Sequence, residues 1–305
     1  MRVVVVGTRG SALALAQSRL IAEALGARHP NRRFELRTVE SEGDRRAEEP
    51  LAAIGGEGVF VKELEHALLD GRIDVAVHSM KDLPLESPKG ITLAAVPERE
   101  DPRDALVCRP GEGGLESLPA GARIGTSSLR RRGQLLRHRP DVRPAEIRGN
   151  VDTRLRKLDE GRYDAIVVAA CGLARLGLEG RISARLPLDW MLPEPGQGAL
   201  AVQVRGDDAE AGRVTAALDD AISRSRVRAE RAFLGALGGG CRLPIAASAR
   251  ADGPRLVLDG AVCAADGTRL VRGSRTGSIA DPDGLGRSLG EELIAQGALE
   301  MLRRV

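Results

Sequence analysis

The sequence predicts an α/β protein with two α/β lobes around a cleft and a smaller α+β domain at the C-terminal end. Three observations carry this. Up to about residue 205, short β-rich runs alternate with segments of helical period, the pattern of layered α/β structure. Two stiff, Pro-punctuated stretches, 97–104 and 193–198, read as paired crossovers between lobes. After about residue 220 the character changes to one helix followed by closely spaced strands with short turns. A chain of 305 residues, 42% hydrophobic, has length and apolar content for two or three cores.

Strands are expected at 3–6, 34–39, 73–77, 91–96, 106–108, 124–125, 163–170 and 199–204, forming largely parallel sheets. Between the first two, Ser11 opens a helix with Leu13, Ala16, Leu20, Ala24 and Leu25 at helical spacing. Phe60, Leu64, Ala67 and Leu68 mark another, which Gly71 ends. Beyond residue 220 the expected order is a helix at 222–237, the turn Gly238-Gly239-Gly240-Cys241, strands at 245–251, 256–262 and 269–272, and one closing helix at 285–303. The turn Ala265-Asp266-Gly267 suggests an antiparallel meander. The expected domains are 1–98 with 196–217, then 102–192, then 220–305.

Composition narrows the function. Aromatic residues make up 2% of the chain, with Trp190 and Tyr163 the sole representatives of their types, so stacking platforms for bases are scarce and no nucleic-acid partner is expected. The net charge is only +3, but Arg is clustered, so local anion sites matter more than global steering. No stretch suits a secretion signal or a bilayer span, and a cytoplasmic protein without a membrane partner is expected. Cys108, Cys171, Cys241 and Cys263 show no C-x-x-C spacing and the four His are scattered, so neither a metal site nor a disulfide framework is expected. No heptad or repeat calls for assembly, and a monomer is expected.

Three strand-to-helix turns can hold anions. In Gly7-Thr8-Arg9-Gly10-Ser11, free backbone N–H groups, a hydroxyl and a guanidinium can converge on a carboxylate or phosphate, or Ser11 simply caps its helix. Gly125-Thr126-Ser127-Ser128-Leu129-Arg130-Arg131-Arg132 repeats the logic, with Arg in a first turn where cations oppose the helix dipole. A bound polyanion would justify that placement, and a basic surface turn is the plainer alternative. Arg148-Gly149-Asn150-Val151-Asp152-Thr153-Arg154 and Arg175 add guanidiniums where ligands of open α/β sheets collect, beyond the carboxyl ends of strands.

His78-Ser79-Met80-Lys81-Asp82-Leu83-Pro84 follows the strand at 73–77. Asp82 beside Lys81 and a basic cleft should be ionised. Such a carboxylate can hold a developing cation, or it can merely form a turn before Pro84. His78 has no carboxylate or second His beside it in sequence and reads as structural. Cys241 follows three glycines, which lets backbone approach a ligand and leaves sulfur accessible, whereas Cys108, Cys171 and Cys263 sit in apolar runs as core thiols do.

Nearly end to end, the chain resembles the porphobilinogen deaminases. The matching stretches are Val61-Lys62-Glu63-Leu64-Glu65, the run from His78 to Pro84, that from Glu98 to Asp104, Gly125 to Arg131, Arg148-Gly149-Asn150, Thr153-Arg154-Leu155, Gly196-Gln197-Gly198-Ala199 and Gly239-Gly240-Cys241. The resemblance implies two periplasmic-binding-protein-like lobes and a transferase of tetrapyrrole (heme) biosynthesis that condenses four porphobilinogens into hydroxymethylbilane and releases ammonia. It implies a dipyrromethane cofactor bound covalently to Cys241, and Asp82 as the catalytic carboxylate that holds pyrrole N–H groups and stabilises the cation left by ammonia. It assigns Ser79, Lys81, Thr126, Ser127, Ser128, Arg130, Arg131 and Arg154 to the cofactor, and Arg9, Ser11, Gln17, Arg148, Arg175 and Gln197 to substrate. Every pyrrole ring bears an acetate and a propionate, so the growing chain is a polyanion whose burial needs paired cations.

Two positions depart from the family pattern. Gly55-Gly56-Glu57-Gly58 has an acid where many relatives carry Lys, and Gly238 stands where Glu is frequent. A two-lobed small-anion-binding protein without catalysis is the competing expectation; it leaves Cys241 and the third domain without a purpose.

Overall fold

A computed structural model describes residues 3–40, 61–109, 113–239 and 243–303 of the chain. Two compact units emerge, residues 1–100 with 199–224 and residues 101–198 with 225–305.

In the first unit, β1 (Val3–Thr8), α1 (Ala12–Arg28), β2 (Arg33–Thr38), α2 (Lys62–Leu69), β3 (Val75–Ser79) and β4 (Ile91–Ala95) precede the return strand β10 (Leu200–Arg205) and α6 (Ala209–Ala216). The sheet order is β2-β1-β3-β10-β4. β1 runs parallel to β2 and β3, whereas β10 is antiparallel to both β3 and β4. Alternate residues of each strand point to opposite faces. Val4, Val6, Val75, Val77, Val202 and Val204 pack with Ile21 and Leu25 of α1 and Val214 of α6, while Ala76 meets Leu64 and Leu68 of α2 on the other face. Gly71, at φ +67°, turns the chain back after α2, as its position in the sequence predicts.

The second unit begins with β5 (Asp104–Cys108), β6 (Arg123–Gly125), α3 (Leu129–His138), β7 (Arg143–Ala145), α4 (Val151–Asp159), β8 (Ala165–Ala169), α5 (Ala170–Arg175) and β9 (Ala184–Arg185). Its sheet order is β7-β6-β8-β5-β9, with β6 parallel to β7 and β8, and β5 antiparallel to β8 and β9. Each sheet is largely parallel, as expected, with four of five strands in one direction and a single reversed strand, β10 in the first and β5 in the second. The reversed strands, β5 and β10, are those that follow the two Pro-punctuated stretches. A chain arriving through a crossover, rather than through a helix packed on the sheet, is not bound by the right-handed βαβ rule. Two- and three-residue strands such as β9 and β7 leave too short a pattern to be read from sequence.

The same unit carries α7 (Ala221–Ala236) from Ser225 onward, the antiparallel strands β11 (Ile245–Asp252), β12 (Arg255–Cys263) and β13 (Leu270–Ser278), and α8 (Pro282–Ala295) with α9 (Ala298–Leu302). Their core gathers Phe233, Leu256, Leu258, Leu285, Leu289 and Leu293. The expected closing helix is two helices, because Gly297 at φ +90° breaks the run between α8 and α9. β13 extends beyond the expected 269–272 because backbone pairing with β12 continues through its exposed polar half. Leu192, Ala246 and Ala261 form a further small cluster.

Candidate active site

In the first unit, the predicted residues gather at one sheet edge. β1 and β3 are adjacent and parallel, so Arg9 and Ser11 after the first and Lys81 and Asp82 after the second leave from the same carboxyl edge. Ser11 caps α1, its Oγ accepting from Ala14 N at 3.3 Å. The buried Gln17 donates from Nε2 to Ser79 Oγ at 2.9 Å and ties α1 to the end of β3. A single 3-10 turn, Met80–Asp82, follows. Met80 and Leu83 are buried, and Met80 N donates to Ala199 O at 3.0 Å. With both flanking side chains held in the core, Lys81 is half-buried and Asp82 is exposed.

In the second unit, the carboxyl ends of β7, β6 and β8 place the other set. Thr126 is buried and its Oγ1 accepts from Ser128 N at 3.2 Å. Ser127 donates from Oγ to Ile147 O at 2.6 Å and accepts from Ile147 N at 3.2 Å, stapling the loops after β6 and β7. Ser128 caps α3 through Arg131 N. Asn150 caps α4, and Arg154 donates from Nε to Gly149 O at 2.8 Å. Arg148 pairs with Glu146, and Arg175 Nη2 donates to Gly198 O at 2.8 Å.

Asp104 organises this set. Its carboxylate accepts from Arg130 Nη1 at 2.7 Å, from Arg131 Nη2 at 2.7 Å and from Gln197 Nε2 at 2.9 Å, and all four residues are buried. Burial by itself would raise the Asp104 pKa, but the two guanidiniums overcome it and hold the carboxyl well below the usual carboxylate range. Gln197 also donates to Pro102 O at 2.8 Å and so straps the second Pro-rich stretch to the first. This modifies the sequence argument about Arg in the first turn of α3: Arg130 and Arg131 turn inward to an acid, and only Arg132 points to solvent.

Positive charge nevertheless exceeds this acid. Arg130 Nε and Nη2 are buried with no hydrogen-bond partner among the described residues. Arg154 is pulled down to about 10, by burial first and then by Arg131 and Arg148. Buried, like-charged donors in this arrangement suit a ligand carrying several carboxylates, which is what a dipyrromethane with acetate and propionate side chains provides. Among the described residues no group of three or more His, Cys, Asp or Glu could hold a metal ion. Cys108, Cys171 and Cys263 are buried, and burial pushes Cys263 up to about 11. Cys241 and Glu57 lie outside the described residues.

A family profile described as "Porphobilinogen deaminase, dipyromethane cofactor binding domain" matches residues 4–213, and one described as "Porphobilinogen deaminase, C-terminal domain" matches 225–295. The chain belongs to the porphobilinogen deaminase family. The porphobilinogen deaminase of Roseiflexus sp. (strain RS-1) is 51% identical over 298 residues, 98% of each chain. That of Desulforudis audaxviator is 51% identical over 304 residues, 100% of this chain and 98% of its own. Among solved structures, the methionine-binding protein MetQ aligns at 13% identity with a TM-score of 0.46, covering 71% of this chain and 89% of its own.

Sequence reading missed two acids within the family's frame. Asp104 reads in sequence only as the end of the crossover stretch 97–104, although a charged residue opening the apolar run Ala105-Leu106-Val107-Cys108 was the available signal. Glu230 left none: it is fully buried within α7 and accepts from Gly196 N and Ala249 N, both at 2.7 Å.

Proposed function

We propose that this chain is a porphobilinogen deaminase that joins four porphobilinogens head to tail, releasing one ammonia at each condensation, and frees the product as hydroxymethylbilane by adding one water at the bond to the cofactor. The surplus of buried guanidinium in the second unit supports this reading most directly, because it calls for a polycarboxylate ligand. The dipyrromethane, tethered to Cys241, supplies the pyrrole on which the chain is primed. Arg130, Arg131, Arg154, Thr126, Ser127 and Ser128 hold its carboxylates, together with Ser79 and Lys81. Arg9, Ser11, Gln17, Arg148, Arg175 and Gln197 orient substrate.

Asp82 is the catalytic carboxylate. Loss of ammonia from the aminomethyl carbon leaves a cation delocalised over a pyrrole. An ionised, solvent-facing Asp82 accepts from the pyrrole N–H and lowers the energy of that cation. The separate cores of the two mixed sheets and of the C-terminal sheet support three domains, 1–98 with 196–217, 102–192 and 220–305. No helix among the described residues is long and apolar enough to cross a membrane. On this reading the chain acts as a monomer in the cytoplasm.

Intact mass tests the reading. Wild-type protein is expected to carry the mass of a dipyrromethane, and Cys241→Ser the bare polypeptide mass. Asp82→Asn should keep the adduct while bilane formation falls about 100-fold or more. Bare polypeptide for the wild type, even after incubation with porphobilinogen, would turn the assignment to a non-catalytic anion-binding protein.

A further inference from the structure

A buried polar chain lies beneath the Asp82 turn. In the pairing of β10 with β3, Gln203 stands opposite Ala76 and Ala201 opposite His78. Gln203 and His78 therefore rise from one face of the sheet, the face covered by α2. From α2, Glu65 reaches this face: Gln203 Nε2 donates to Glu65 Oε1 at 3.1 Å and lies 3.5 Å from Ser87 Oγ. Glu65, Gln203 and His78 are 4%, 0% and 5% exposed.

The chemistry of the amide orders the rest. A carboxylate pins Nε2, so Oε1 of the same amide is left as an acceptor, and it has no hydrogen-bond partner among the described residues. His78 Nε2 is buried without one as well, and the strand pairing makes His78 the diagonal neighbour of Gln203 on this face. Both atoms are satisfied, directly or through one water, when the imidazole carries its hydrogen on Nε2. We infer that Glu65, acting through Gln203, fixes His78 as the neutral Nε2–H tautomer, and that His78 is thereby a positioning residue for the turn that carries Lys81 and Asp82. The role of the turn rests on the proposed function; the tautomer does not.

The surrounding charges agree. Burial takes His78 down to about 4, with Gln203 opposing and Arg9 reinforcing. Burial also raises Glu65, against Gln203, His66 and Lys62. A neutral ring beside Arg9 adds no second cation there, and the next residue along β3, Ser79, receives the Gln17 bond.

The chain has four His, so 15N-labelled holoprotein gives a readable set of ring nitrogens, with the His78 signals identified by their loss in His78→Gln. The expected pattern is Nε2 protonated and Nδ1 bare from pH 8 to 5.5. A ring protonated on Nδ1, or one titrating near the ordinary 6.5, would overturn the tautomer. In turnover of porphobilinogen, His78→Phe and Gln203→Leu are expected to lower kcat about 10-fold with KM within about twofold. His78→Gln, which keeps an N–H at the tip, should stay within about threefold of wild type. Unchanged kcat in the Phe and Leu variants removes the positioning role even where the tautomer holds. A wild type that forms no bilane refutes the proposed function and leaves the ring assignment to the NMR.

Discussion

Replacing Asp104 by Asn keeps the shape of a fully buried side chain and removes its charge. Two buried guanidiniums, those of Arg130 and Arg131, then face an amide across contacts that measure 2.7 Å in the native protein. Deleting one partner of a buried ion pair costs about 3–5 kcal/mol, because the remaining charge is neither solvated nor paired. With a urea dependence of roughly 2–3 kcal/mol/M, the midpoint of unfolding should fall by about 1–2.5 M. Trp190 is the sole tryptophan; it packs against the core of Leu106, Ile124 and Leu135 and stacks on His138 with ring centroids 5.1 Å apart. Its fluorescence therefore reports the unit that holds Asp104. The acid also sets a pH window. Its folded pKa is depressed, so its contribution is present above the unfolded value of about 3.9 and disappears as pH falls toward the folded one. Wild-type stability should drop below about pH 4, and Asp104→Asn should lose that part of the slope. A midpoint shift under about 0.5 M, or an unchanged acid slope, would refute the account of Asp104 as the organising counter-charge.

Two further substitutions test packing and strapping. A Cβ at Gly133 would lie 2.4 Å from Ala264 O and 3.0 Å from Cys263 Sγ, so Gly133→Ala should destabilise by about 1–3 kcal/mol despite its better helix propensity, read by the same Trp190 transition. Glu230→Gln turns one oxygen of a buried double acceptor into a donor facing Gly196 N or Ala249 N, and should cost about 2–3 kcal/mol. Faster amide exchange at both positions, measured by mass spectrometry, is the accompanying signature; unchanged exchange would mean that Glu230 does not hold these N–H groups.

Much of the candidate site was legible because strand-to-helix turns announce themselves locally. Ser11 caps its helix, one of the two readings its position allowed, and Ser128 and Asn150 do the same at the turns where hydroxyls and guanidiniums cluster. The hydroxyl clusters and Arg residues therefore fall at strand ends without any knowledge of long-range contacts. Local patterns fail where the partner is distant in sequence. Asp104 meets Arg130 and Arg131 across 26 and 27 positions, and Glu65 meets Gln203 across 138. Ser127 meets Ile147 across 20 positions.

The sequence by itself determined the α/β layering, the discontinuity of the first lobe, the antiparallel C-terminal meander and the positions of the strand-to-helix turns, because helical period, strand alternation and capping are short-range properties of the chain. It also determined family membership through ordered motifs. Only the tertiary structure decided the direction of β5 and β10, the break at Gly297, the inward turn of Arg130 and Arg131, and the buried chain from Glu65 to His78. Each depends on which groups lose water together. That is settled when distant segments pack, since a charge or amide is forced to find a partner only once it is buried.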